Sequence, residues 1–222
     1  KTGRTLWKTD RDGSKPSSST PLAYRAGTGE QLQFVSNSKS HGCYGVDART
    51  GKLLWETGPD TLDLRSVSSP ILAEGLFFAS CGAGGRGSRL VAIRPPANVS
   101  QEPEVAYVLK KNVPYVPTPL PFKDMLFLIS DGGIASCLKT ATGEVLWRER
   151  LEGNYFASPV LINGKACIVS REGEVRVLSI TKEKMTVLGL SKLGEKTYNT
   201  PAISPKSIFF RTYSTIHCLN SI

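Results

Sequence analysis

The chain has 222 residues, 40% of them hydrophobic, with 21 glycines and 14 prolines. It can bury a sizeable core, but it is punctuated too often for long helices, so an all-β fold is expected. The net charge of +9 comes from scattered Lys and Arg with no basic run interleaved with aromatics, which argues against nucleic acid, and no apolar stretch approaches the ~20 residues of a transmembrane helix.

Taken in order, residues 1–10 open on Thr2-Gly3-Arg4-Thr5-Leu6-Trp7, a pattern that returns as Thr50-Gly51-Lys52-Leu53-Leu54-Trp55 and as Thr142-Gly143-Glu144-Val145-Leu146-Trp147. A second series keeps phase with it: Thr20-Pro21, Ser69-Pro70, Thr118-Pro119, Ser158-Pro159 and Thr200-Pro201. The prolines are 49, 49, 40 and 42 residues apart, a period in the range of repeat architectures. Modules are expected over about 17–57, 65–111, 114–150, 155–191 and 197–222, the last joined by residues 1–10.

The module from Tyr155 is the clearest. Phe156 to Ile162 is short and apolar and stops at Asn163-Gly164, a hairpin signal. Lys165 to Ser170 runs back to Arg171-Glu172-Gly173, Glu174 to Ile180 alternates polar and apolar side chains, and Thr186 to Leu190 supplies a fourth segment. Four short antiparallel strands within about 40 residues make one blade of a β-propeller. The Thr-Gly turn leads into a Trp that is expected to be pressed between blades, burying on the order of 200 Å². Between Pro70 and Pro119 a proline-stiffened loop, Arg94 to Pro103, replaces that turn and Tyr107 takes the Trp position; in the next-to-last module Val187 falls there. The final module shows three strands, and residues 1–10 read as a fourth strand without a blade, so the N-terminal strand is expected to complete the C-terminal blade and leave no open edge. Five blades are a lower bound, and membership of a larger seven- or eight-bladed ring stays open.

Five cysteines lack metal or disulfide spacing, and aligning the modules puts Cys137 and Cys218 at the position of Gly45, Ala92 and Val177, a slot for modest apolar volume. His41 and His217 have no aligned acidic partners, and Asp60, Asp63, Asp124 and Asp131 fall in turns. The glycine-rich Cys81 to Ser88 lacks the Gly-Lys-Ser/Thr ending of a phosphate loop and reads as a hairpin between second and third strands.

The run Gly45-Val46-Asp47-Ala48-Arg49-Thr50-Gly51-Lys52-Leu53-Leu54-Trp55 resembles the pyrroloquinoline-quinone-like (PQQ-like) repeat, and with the Ser/Thr-Pro strands the whole chain looks like the BamB-like PQQ-like β-propellers of the quinoprotein alcohol dehydrogenase-like superfamily. The resemblance implies a periplasmic or cell-envelope protein. The enzymes of that superfamily use an adjacent cysteine pair and a Ca²⁺ ligand set, neither of which is found in this sequence, so no enzymatic activity, no cofactor and no metal are expected. The preferred expectation is a non-catalytic scaffold that offers the hairpins Ser36 to Gly42, Ala83 to Ser88 and Asp131 to Gly133 to an unidentified protein partner, with oligomeric state open. The alternative is a quinone- or small-ligand-binding domain using an axial pocket lined by Ser19, Ser68, Pro117, Ala157 and Asn199.

Overall fold

The computed structural model describes residues 3–13, 15–25, 31–97 and 101–220; Thr2, Asn98 to Ser100, Ser221 and Ile222 lie outside the described residues. The described residues form five antiparallel sheets and no helix. Blade 1 is β1 (Leu22–Tyr24), β2 (Gln33–Ser38), β3 (Gly42–Asp47) and β4 (Leu53–Glu56). Blade 2 is β5 (Ile71–Ala73), β6 (Leu76–Ala83), β7 (Arg86–Arg94) and β8 (Glu104–Leu109). Blade 3 comprises β9 (Leu120–Phe122), β10 (Met125–Ile129), β11 (Ile134–Lys139) and β12 (Val145–Arg150), and blade 4 comprises β13 (Val160–Ile162), β14 (Lys165–Val169), β15 (Glu174–Ile180) and β16 (Met185–Lys192). Blade 5 has three strands, β17 (Ala202–Ile203), β18 (Ser207–Arg211) and β19 (Ile216–Asn220). Each sheet is a meander in sequence order, as short strands joined by tight turns require.

The apolar core is divided among the junctions between blades. Val35, Trp55, Phe77 and Val91 pack blade 1 on blade 2; Phe78, Leu90, Leu126 and Leu138 pack blade 2 on blade 3; Phe127, Trp147, Ile168 and Leu178 join blades 3 and 4. Ala157, Cys167, Val169, Val175 and Phe210 join blades 4 and 5. Burial of both faces makes the second strands of blades 2 to 4 largely apolar; β10 reads Met-Leu-Phe-Leu-Ile and every residue is buried.

The slot shared by Gly45, Ala92, Cys137 and Val177 has a geometric cause. Across the ladder Gly45 faces Trp55, Ala92 faces Tyr107, Cys137 faces Trp147 and Val177 faces Gly189, with a bulge immediately after the slot in every case. The slot residue stays small where an aromatic faces it, and the largest one, Val177, stands opposite a glycine, as close packing requires. The ladder also corrects the alignment of blade 4. Gly189 stands opposite the slot, whereas Val187 pairs with Leu178 beyond the bulge, as Val145 pairs with Leu138 in blade 3.

The expected completion of blade 5 by residues 1–10 is not what forms. Among the described residues β19 pairs with β18 alone, and residues 3–13 carry no strand and lie against blade 1. The indole Nε1 of Trp7 donates to the carbonyl of Ala48 at 3.0 Å, Thr9 Oγ1 donates to the carbonyl of Gly51, and Arg11 reaches Glu56 and covers the Tyr44 ring at 4.0 Å. Trp7 is thus fixed by a turn of the neighbouring blade, a contact that needs no ladder partner.

Candidate interaction rim

Each Ser or Thr before a marked proline is confined to extended backbone by the ring that follows it, which fixes the directions of its N–H and side chain. These residues form a relay from blade to blade. Thr20 N donates to Ser69 Oγ at 2.9 Å, Ser69 N to Thr118 Oγ1 at 3.2 Å, Thr118 N to Ser158 Oγ at 2.9 Å, and Ser158 N to Thr200 Oγ1 at 2.9 Å. A hydroxyl accepts at every step, which accounts for Ser or Thr at Ser69, Thr118, Ser158 and Thr200; Thr20 enters only through its N–H.

A second joint couples the Thr-Gly turn of one blade to the aromatic of the preceding outer strand. Asp47 Oδ1 accepts from the amides of Arg49 and Thr50 and from the Thr50 hydroxyl, and Gly51 closes the turn at φ +73°. Burial alone would raise the Asp47 carboxyl, but the bonds from Thr50 and Arg49 outweigh it and hold it below the usual carboxylate range. Trp7 covers Gly51, Tyr107 covers Gly143 while its hydroxyl donates to the Thr140 carbonyl, and Trp147 Nε1 donates to the Thr181 carbonyl at 2.8 Å. Trp55 is the exception: its indole donates to Gln33 Oε1 and its ring stacks on Phe77, because the proline loop has replaced the turn it would meet.

Among the expected axial residues, Ser68, Pro117 and Ala157 are buried, Ser19 is half-buried and Asn199 is exposed. Ser19 Oγ donates to the Asn37 carbonyl and Asn37 Nδ2 donates to the Ser68 carbonyl, so two of the five are tied together through Asn37.

The antiparallel meander places the hairpins between second and third strands at the same end as the links that lead from one blade to the next. At this rim, between blades 4 and 5, Arg171 lies 4.9 Å from the Phe156 ring and 5.0 Å from that of Tyr198, and its Nη2 donates to the Tyr198 hydroxyl at 2.9 Å. Tyr213 meets Tyr198 edge-on at 6.4 Å and is 76% exposed, while Tyr198 is 41% exposed. No sequence pattern marks this cluster, since its members come from four separate segments.

Several titratable groups stand elsewhere than expected. Asp131 is 2% exposed, not solvated, and its carboxylate accepts from the amides of Tyr115 and Val116; burial pushes it up despite those bonds. Asp63 receives Cys81 Sγ, Ser88 Oγ and Arg89. His41 does have an acidic partner, with Nδ1 at 3.0 Å from Glu56. Burial pushes the Cys43 thiol up to about 12 and those of Cys81, Cys137 and Cys167 to about 11, while Cys218 is exposed. The Gly84-Gly85 pair turns β6 into β7 at φ +60° and +72°, a tight hairpin. Among the described residues no three His, Cys, Asp or Glu side chains are grouped to hold a metal ion, and no helix is long and apolar enough to cross a membrane.

No curated protein matches the chain. A solved structure of BamB from Moraxella catarrhalis superposes with a TM-score of 0.65 at 13% identity, covering 97% of this chain and 61% of that one, which is a likeness of fold. The chain therefore spans about three-fifths of the length of that structure. The profile of the family described as "Outer membrane protein assembly factor BamB" matches residues 1–102 and 110–219, and the chain belongs to this PQQ-like β-propeller family.

Proposed function

We propose that this propeller is a non-catalytic protein-interaction scaffold of the bacterial cell envelope, serving outer-membrane protein assembly and docking its partner on the rim that carries Phe156, Arg171, Tyr198 and Tyr213. The observation that carries this reading is the ordered aromatic and arginine cluster: Tyr213 is 76% exposed, yet Tyr198 beside it is already held by Arg171. Tyr and Arg are the residue types that concentrate binding energy at protein interfaces, and ordering them before contact lowers the entropy lost on association. Membership of a family described as an outer-membrane protein assembly factor supports the choice of partner.

The test is site-specific photo-crosslinking from position 213 of the full-length protein in its native host. A crosslinked outer-membrane assembly protein in the envelope fraction is expected, and Arg171→Ala with Tyr198→Ala should lower its recovery at least tenfold without changing the far-ultraviolet dichroism. Recovery of the protein from the cytoplasm, or crosslinking indifferent to both substitutions, refutes the reading. An absorption titration with pyrroloquinoline quinone and Ca²⁺ examines the small-ligand alternative, and saturable binding would overturn the scaffold.

A further inference from the structure

Between blades 2 and 3, on the same rim, lies a cleft of about 540 Å³ lined by Arg86, Lys110, Lys111, Asn112, Asp131 and Arg150 among others. It is formed by the β6–β7 hairpin, the link from β8 to β9, the β10–β11 hairpin and the end of β12. Four cations therefore meet from three separate parts of the chain. All four are exposed, and none has a salt bridge or hydrogen-bond partner among the described residues, in contrast to Lys139, Arg176 and Lys182, which are paired with acids. The single acid of the cleft, Asp131, is committed to the Tyr115 and Val116 amides and is nearly sealed from solvent.

Like charges crowded without counter-charges repel one another, and the repulsion is relieved when an anion enters. The shape selects among anions. The cleft is many times larger than the ~30 Å³ share of one water, so a single small ion leaves most of it empty. No aromatic side chain lines it, so it lacks the stacking platforms that hold single-stranded nucleic acid. Its concave form and lack of exposed large apolar side chains do not suit insertion into a bilayer surface. We propose that this inter-blade cleft binds an acidic, Asp/Glu-rich extended segment of a protein partner. The inference rests on the scaffold reading and gives that scaffold a second, electrostatic contact beside its aromatic cluster.

The probe is a fluorescein-labelled ten-residue peptide alternating Glu with Gly, followed by anisotropy at 50 mM salt, with Gln-Gly peptide, inorganic phosphate and anionic-lipid vesicles as comparison ligands. Binding of the Glu peptide alone is expected, weakening at least tenfold at 0.5 M salt. Arg86→Glu with Lys110→Glu should weaken it at least tenfold, whereas Lys52→Glu with Lys165→Glu, an equal charge change on exposed sites elsewhere, should change it less than twofold. Equal loss in both pairs overturns the proposal, because the attraction would then be to net charge. Tighter binding of vesicles or phosphate than of peptide overturns it as well. If the Arg86 and Lys110 variant still crosslinks its assembly partner fully from position 213, the cleft proposal fails and the scaffold reading stands; loss of crosslinking in the Arg171 and Tyr198 variant tests the latter separately.

Discussion

Replacing Gly143 by Ala tests the joint between blades in isolation. Gly143 has φ +72°, and an alanine in left-handed backbone costs about 1–2 kcal/mol. The added methyl would also lie 2.5 Å from Cε2 of Tyr107. That ring cannot swing aside freely, because its hydroxyl is bonded to the Thr140 carbonyl, so blade 2 has to move off blade 3. Overpacking of this kind costs about 1–3 kcal/mol, giving an expected loss of about 2–5 kcal/mol for Gly143→Ala. Gly164 is the control: its φ is also +72°, but nothing lies within 4 Å of the added methyl, so only the backbone cost of about 1–2 kcal/mol is expected. Urea unfolding followed by dichroism and tryptophan fluorescence reads both values, and a cycle with Tyr107→Ala isolates the contact. Equal losses at Gly143 and Gly164, or an unchanged Gly143 loss after Tyr107 is truncated, would refute the joint.

Ser158→Ala removes the acceptor of the Thr118 amide, at a cost of about 1–3 kcal/mol, and hydrogen exchange at Thr118 should accelerate; Ser158→Thr should restore protection, and unchanged exchange in the alanine variant sinks the relay. Iodoacetamide at pH 8 should label Cys218 alone in the native protein and all five cysteines in urea, as read by mass spectrometry; rapid native labelling of Cys43 contradicts its burial. Glu195 is held at about 2 by the Ser214 hydroxyl, the Thr212 hydroxyl and the Ser214 amide. Its pKa is lower folded than unfolded, so its contribution is present above pH about 4.5 and is lost as pH falls towards 2. Glu195→Gln should flatten that part of the acid-unfolding curve, and a Glu195 carboxyl titrating near 4.5 by carbon NMR would be inconsistent with the three bonds.

The strands, the hairpins and the blade module were legible because they depend on contacts within about 40 residues. Asn163-Gly164 dictates its turn locally at φ +47° and +72°, and Asp47 caps a turn two and three residues on. The slot at Gly45, Ala92, Cys137 and Val177 could be read by superposing modules, yet its reason, the residue across the ladder, an aromatic for the first three and a glycine for Val177, needed the register. Sequence placed Trp7 on an outer strand of the last blade, whereas it lies on no strand and meets the Ala48 turn of blade 1, since TGxxLW names a contact with a turn. Asp131, expected in solvent from its position in a turn, is buried because the link leading into blade 3 folds over it. The cationic cleft was invisible for the same cause: Arg86, Lys110, Lys111 and Arg150 look scattered along the chain, and only the packing of blade 2 against blade 3 makes them neighbours. Sequence by itself thus determined the repeating unit, through local backbone preference and period-two burial, while tertiary structure decided which edges, charges and aromatic rings meet, because those contacts are set by how one blade lies against the next.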